Sequence, residues 1–477
     1  MKISKDGGKS VNNKLVRALI VFLVGAVIWF LPIPTGVKPE AWHLLAIFTA
    51  TILGFILQPI PIGAIAFISL TFTALTGVLK ISDVLSGFSQ TVVWLIVAAF
   101  LFSRGFVKTG AGRRIAFQLI KYFGSSSLKL AYVLIISDLF VAPATPSNTA
   151  RAGGILFPIV RSLASSFGSE PGPTAKKIGS FLIQAAYHGD TITSAMFLTG
   201  MAGNPLMVAL AAKAAGVNVT WGMWFMASVV PAICSLILIP YLIYKYEKPE
   251  ITKTPEAREL AERELEKMGP MQREEKWLLG IFCSALLLWA TSQFTSLDAT
   301  LVAMIAVSAM LIFRVLEWSD VTEEKGGWDT MIWMGSLICL AGFLNTLGLI
   351  PWFAKVVSGS IVGMPWQYAF VIVVLVYTYA HYAFASLNAH IAAMFAAFLA
   401  VAVAVGTPPY LATLALFFAS SISQSITHYA AGPAPIYFGA GYVSQGTWWK
   451  LGFIVSAVNL IIWIGLGSIW WKILGLW

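Results

Sequence analysis

The chain has 477 residues, 58% of them hydrophobic and only 11% charged, with a mean hydropathy of +0.81. That composition excludes an ordinary soluble domain and a disordered segment and requires a polytopic membrane protein. The formal charge of +10 reports loop topology in such a chain and gives no reason to expect a nucleic-acid partner.

Apolar runs long enough, with their flanks, to cross the bilayer begin at Ala18, Ala41, Ile62 and Val92, and resume at Trp221, Trp277, Leu301 and Phe453. Lys2, Lys5, Lys9, Lys14 and Arg17 precede the first run, whereas Lys38 stands alone after it, which places the N-terminus in the cytoplasm. The first span lacks an A-x-A-like cleavage site and reads as retained. The prolines of the first three spans (Pro32, Pro34, Pro59, Pro61) cluster at chain reversals, and these spans read as scaffold. From Arg113 to Phe123 the apolar Ile115, Leu119 and Tyr122 keep helical spacing with Arg113, Arg114 and Lys121 elsewhere, which suits a helix along the membrane interface.

The stretch Val141 to Ile159, VAPATPSNTARAGGILFPI, is where the chain's organisation turns. Pro143 and Pro146 interrupt a helix, and Ser147 is a good cap for one restarting at Ala150. Backbone that leaves the helix inside a membrane must line a protein-enclosed cavity, and N–H groups at a helix start favour an anion. Ser147, Asn148 and Thr149 are therefore candidate contacts for a small polyanion such as a carboxylate. Polar glue between helices is the plainer reading of the same three residues. A second interruption, His188-Gly189-Asp190 and then Gly200, Gly203, Asn204 and Pro205, marks another broken helix and adds Gly200 to the candidates. Asp190 in an apolar span fits a functional site or a structural pair equally.

Between Lys245 and Lys276 nine glutamates alternate with eight lysines and arginines. This reads as a solvated cytoplasmic linker, residues 245–276, joining membrane halves 1–244 and 277–477, with Thr254-Pro255 opening a helix. The half after the linker repeats the half before it. Thr91, Trp94, Ser147 and Ala150 recur as Thr330, Trp333, Ser386 and Ala389, each pair 239 apart, and Ser82-Asp83-Val84 recurs as Ser319-Asp320-Val321 with an offset of 237. A shared offset that lands on the break predicts an inverted repeat. Its second break holds Ser386, Asn388 and His390, and Ile426 to Pro433 supplies the last interruption with Thr427 and His428.

Cys234, Cys283 and Cys339 are widely spaced within apolar runs and predict core packing, with no disulfide and no metal site. No cofactor motif, Walker loop or nucleophile–base pair appears, so neither an ATP-driven pump nor an enzyme is expected. The tryptophans, including Trp448, Trp449, Trp470, Trp471 and Trp477, read as interface anchors and packing.

With PSNTARAGGILFPI from Pro146 and ITHYAAGPAPIYFGAGYV from Ile426 in view, the chain resembles the divalent anion/sodium symporter family over nearly its whole length. It is most similar to the exchanger branch, which includes 2-oxoglutarate/malate translocators and bacterial citrate/succinate antiporters. The resemblance implies an all-α membrane protein, an inverted repeat of about 11 transmembrane helices with two re-entrant hairpins. It further implies a homodimer, in a bacterial inner membrane, whose protomers each have a scaffold domain and an elevator-like transport domain that carries di- or tricarboxylates. It implies carboxylate contacts from Asn148 and Thr149 beside Ser147. Where sodium-coupled members place a second Ser-Asn-Thr, this chain has Ser386, Leu387 and Asn388. Leu387 offers no oxygen to a sodium ion, which predicts sodium-independent antiport, with Arg151 and His390 (also 239 apart) as internal counter-charges. A sodium- or proton-coupled symporter is the alternative. Arg151 fits an ion pair with Asp138 or Asp190 as well as a counter-charge role, and His390 and His428 fit neutral buried imidazoles as well as substrate contacts.

Overall fold

The computed structural model describes residues 6–295, 297–359 and 364–477, and the side chains of 6–13, 293, 294 and 358 are also outside that description. Lys2 and Lys5, two of the charges expected to orient the N-terminus, lie outside the described residues. Among the described residues all regular structure is helical apart from one isolated bridge between Ser126 and Lys253. Seven helices there are long and apolar enough to cross a membrane, and Ile62–Leu75, Ala299–Ile312 and Pro409–Ser423 are shorter apolar helices.

The chain divides into two compact units, each assembled from three separated stretches. The sequential halves 1–244 and 277–477 are not those units. The first unit takes Met1–Trp94, Leu206–Asn218 and Trp328–Leu416. In it the Thr51 hydroxyl donates to Ser69 at 2.7 Å, joining the helices Pro39–Leu57 and Ile62–Leu75 by a buried polar contact of the kind that binds helices in lipid. Lys213 donates to the Ile338 carbonyl at 3.0 Å while Asn345 Nδ2 donates back to the Lys213 carbonyl at 2.6 Å.

The second unit takes Leu95–Pro205, Val219–Gly327 and Phe417–Trp477. At its centre is the helix Gly179–Met196, every residue of which is buried although it carries Gln184, His188, Asp190, Thr191, Thr193 and Ser194. A helix buried all round is normally apolar all round. This one packs against the helices Ser127–Val141 and Trp221–Tyr246; Asp190 and Ser194 are met by Arg151, Thr193 by Asp138 and Thr191 by the His188 carbonyl, while the side chains of Gln184 and His188 have no hydrogen-bond partner among the described residues.

The helix Trp221–Tyr246 contains Pro231 and Pro240. Pro231 has no N–H, so the Ala227 carbonyl loses its helical partner, and lipid offers no replacement. Trp471 supplies one: wholly buried, its indole N–H donates to the Ala227 carbonyl at 2.8 Å, and Trp470 donates to Met226 at 2.7 Å. Trp471 thus repairs a backbone, beyond the anchoring expected from its type, and Trp470 adds a second bond to the adjacent carbonyl.

The charged linker contains the helix Glu256–Met268, which begins directly after Thr254-Pro255 as its composition predicts. It packs on the helix Ala111–Phe123, burying Ala257 and Ala261. Arg114, expected on an interfacial surface, is instead buried and donates to both oxygens of Glu275 (2.9 and 3.1 Å) and to the Gly269 carbonyl. The linker is therefore docked along much of its length, because a bidentate guanidinium–carboxylate fork fixes orientation as well as charge.

Replacing Trp471 by Phe removes the donor and leaves the Ala227 carbonyl unpaired, with an expected loss of about 1–3 kcal/mol. Pro231→Ala restores the helical partner, so the double variant should lose less than the two single changes summed in thermal unfolding of the detergent-purified protein. Additive losses would remove the repair role.

Candidate functional site

The expected break begins as a 3-10 turn at Ala142–Ala144, is extended at Thr145 and without regular structure at Pro146 and Ser147, and restarts as a π-helix at Thr149–Leu156 rather than as an α-helix at Ala150. Pro158, just beyond, cannot donate to the preceding turn, and the Gly153-Gly154 pair resists a helix weakly, which favours the wider coil. The Ser147 hydroxyl accepts from the Ala150 N–H at 3.1 Å, as its capping position requires. Thr149 is exposed and Ser147 and Asn148 are half-buried, so this tip is reachable inside an otherwise buried region.

The second interruption falls at Phe197 to Ala202, with a 3-10 turn at Leu198–Gly200. A Cβ on Gly200 would meet the Ser194 carbonyl at 2.8 Å, so only glycine fits there. The third lies between the helices Pro409–Ser423 and Pro433–Gly439. All three meet in the second unit. Asn148 Nδ2 donates to Gln424 Oε1 at 2.7 Å, and Thr149 lies against Gly432 so closely that a side chain at 432 would collide with its hydroxyl.

Arg151 ties the first two interruptions together. Its guanidinium has five N–H donors: Nε reaches Asp138 (2.9 Å), Nη1 reaches the Thr145 and Gly200 carbonyls (both 2.8 Å), and Nη2 reaches Asp190 (2.7 Å) and the Ser194 hydroxyl (2.6 Å). All five are used, and the residue is wholly buried. Asp138 also accepts from Thr193. Both carboxylates named as alternative partners in the sequence are engaged at once, so Arg151 brings no surplus positive charge to the tip.

His428 is half-buried and accepts the Trp449 indole N–H on Nδ1 at 2.9 Å, which fixes a neutral ring with its proton on Nε2. Thr427 is buried, and its hydroxyl has no partner among the described residues. Ser386, Asn388 and His390 lie in the first unit. There Ser386 caps the Ala389 N–H at 3.4 Å, as Ser147 caps Ala150, and the 3-10 turn His381–Ala383 lies 239 residues after Ala142–Ala144. His390, wholly buried, bonds the Tyr377 carbonyl at 3.0 Å through Nε2. Leu387, the departure noted in the sequence, is buried.

Sequence reasoning missed two residues. Gln424 is a lone amide in a serine-rich run, with no spacing to single it out. Lys213 closes an apolar helix and reads as a flank, yet it enters no ion pair among the described residues.

Residues 12–477 match the family model described as the sodium:sulfate symporter transmembrane region. YflS of Bacillus subtilis (strain 168), provisionally named a malate transporter, is 51% identical across the whole of both chains. The chloroplastic dicarboxylate transporter 1 of Spinacia oleracea is 46% identical over 96% of this chain and 81% of its own length. Among solved structures, the YdaH transporter of Alcanivorax borkumensis aligns with a TM-score of 0.59 over 97% of this chain and 98% of that one, at 13% identity. That similarity is one of fold.

Removing one partner of a buried ion pair costs about 3–5 kcal/mol because the remaining charge is stranded. Arg151→Met should therefore lower the unfolding temperature sharply, and Arg151→Lys, which keeps the charge but not the fork, should fall between it and wild type. Wild-type stability in Arg151→Met, measured by thermal unfolding in detergent, would remove Arg151 from its central place.

Proposed function

We propose that this chain, which belongs to the divalent anion/sodium symporter family, exchanges di- and tricarboxylates across the membrane without sodium. It is a multi-pass membrane transporter and not an enzyme. The observation that carries the substrate reading is the tip itself: Ser147, Asn148 and Thr149, partly open, at the start of a helix whose own guanidinium is fully occupied. The tip offers N–H and O–H donors, and donors at a helix start are suited to a carboxylate. The names carried by its relatives, malate transporter and dicarboxylate transporter, agree with that chemistry.

In this reading Asn148 and Thr149 contact one carboxylate with Ser147 holding the backbone, and Gly200, Thr427 and His428 complete the pocket from the same unit. Ser386 and Asn388 form the corresponding break in the other unit, and the matching caps and 3-10 turns 239 residues apart support an inverted repeat with two re-entrant hairpins. Leu387 in the place of an oxygen ligand supports sodium independence. Of the fixed cations expected to replace sodium, Arg151 is already matched by two carboxylates and His390 is a buried imidazole bonded to a backbone carbonyl in the other unit, so the exchange reading rests on the missing sodium ligand at Leu387. The working form is a homodimer moving its transport domain as an elevator, with a cytoplasmic N-terminus in a bacterial inner membrane.

Malate, succinate, 2-oxoglutarate, tartrate and citrate should each raise the unfolding temperature according to concentration over dissociation constant, and Asn148→Ala should abolish every shift. Equal shifts in both proteins would take Asn148 out of the site. In proteoliposomes, labelled malate should enter only against internal dicarboxylate and at the same rate with or without sodium. Accumulation in vesicles lacking internal dicarboxylate, driven by a sodium gradient, would replace exchange with symport.

A further inference from the structure

The structure assigns Gln424 as a positioning residue that fixes the polarity of Asn148, so that the tip meets its ligand with a nitrogen already committed as donor. The inference rests on the carboxylate reading above and deepens it.

Gln424 is wholly buried, immediately after the helix Pro409–Ser423 ends. A buried amide must satisfy a donor end and an acceptor end separately. Its Nε2 donates to the Ser421 carbonyl at 3.1 Å and faces the Met201 sulfur at 3.4 Å. Its own backbone carbonyl accepts the Tyr187 hydroxyl at 2.5 Å, which anchors the main chain to the central helix Gly179–Met196. A carbonyl oxygen and a thioether are both acceptors, so a flipped amide would set Oε1 against two acceptors and leave its nitrogen without either. The orientation is therefore forced: Oε1 faces Asn148 and receives a hydrogen from Nδ2 at 2.7 Å.

The consequence passes to Asn148. Free asparagine amides turn over readily, and a tip that offered Oδ1 as readily as Nδ2 would meet a carboxylate with acceptor against acceptor in half of its orientations. With Oε1 of Gln424 opposite, only Nδ2 can occupy that position, and one N–H of the two remains for a ligand. Gln424 touches neither the ligand nor the exposed face in this scheme. It acts through Asn148.

Two variants separate positioning from bulk. Gln424→Met keeps the length and burial of the side chain but loses the acceptor, so the KM for labelled malate in counterflow should rise about tenfold, the worth of one hydrogen bond, with maximal rate little changed. Gln424→Glu should fail at neutral pH, where a carboxylate faces the Ser421 carbonyl and repels the substrate, and recover on acidification, where the protonated acid again donates to Ser421 and accepts from Asn148. Wild type should show no such recovery. A wild-type KM in Gln424→Met, or a Gln424→Glu variant whose pH profile parallels wild type, overturns the assignment. If wild type exchanges no dicarboxylate, the substrate reading fails by itself, and an unfolding cycle of Asn148→Ala with Gln424→Met still decides the contact. Non-additive shifts retain the positioning role and additive shifts remove it.

Discussion

The second unit depends on one side chain with no donor to spare. Arg151 sends five hydrogen bonds to the helix Ser127–Val141, the extended turn at Thr145, the interruption at Gly200 and two positions of the helix Gly179–Met196. Each of those places would otherwise hold an uncompensated carboxylate or an orphaned polar group in a medium without water. Irregular backbone within a membrane needs a local source of donors, and a planar guanidinium provides five in a fixed fork. The breaks at Thr145 and Gly200 are possible where they are because Arg151 stands between them.

That arrangement separates two tasks that the sequence alone runs together. A cation next to Ser147, Asn148 and Thr149 invites the idea that it grips the anionic ligand, but its charge is already met by Asp138 and Asp190. On the proposed function, recognition falls to neutral donors on the tip, and structural charge stays behind it. Neutral donors give up a ligand more easily than a salt bridge does, which suits a protein that must release what it carries. The histidines conform: His428 is held neutral by an indole N–H, and His390 is bonded to a backbone carbonyl.

The features legible in the sequence are those set by local chemistry. Pro143, Pro146 and Ser147 announce a helix break because proline lacks a donor and serine caps, and an offset of 239 carries that break to Ser386. Asp138 and Asp190 are legible as partners of Arg151 because charges in apolar runs must pair, although pattern does not say that both pair at once. The π-helical restart is not legible, since it turns on the balance of a following proline against weak glycines. Gln424 is not, because a single amide carries no periodicity. The docking of Glu256–Met268 on Ala111–Phe123 is hidden for a similar reason: mixed charge looks alike whether water or arginine answers it. The assembly of each unit from three separated stretches depends on contacts between residues distant in sequence, to which hydropathy is blind.

The bond from Trp471 to the Ala227 carbonyl spans 244 residues of sequence. At ribosomal speeds of about 5–20 residues per second, the kinked helix Trp221–Tyr246 exists for on the order of ten to fifty seconds before its indole partner has been synthesised. During that interval the carbonyl left open by Pro231 has no indole partner and must be met by water, lipid headgroups or the insertion machinery. Trp471 is thus a late-arriving partner for a helix made much earlier, and a change at Trp471 would be felt 244 residues away.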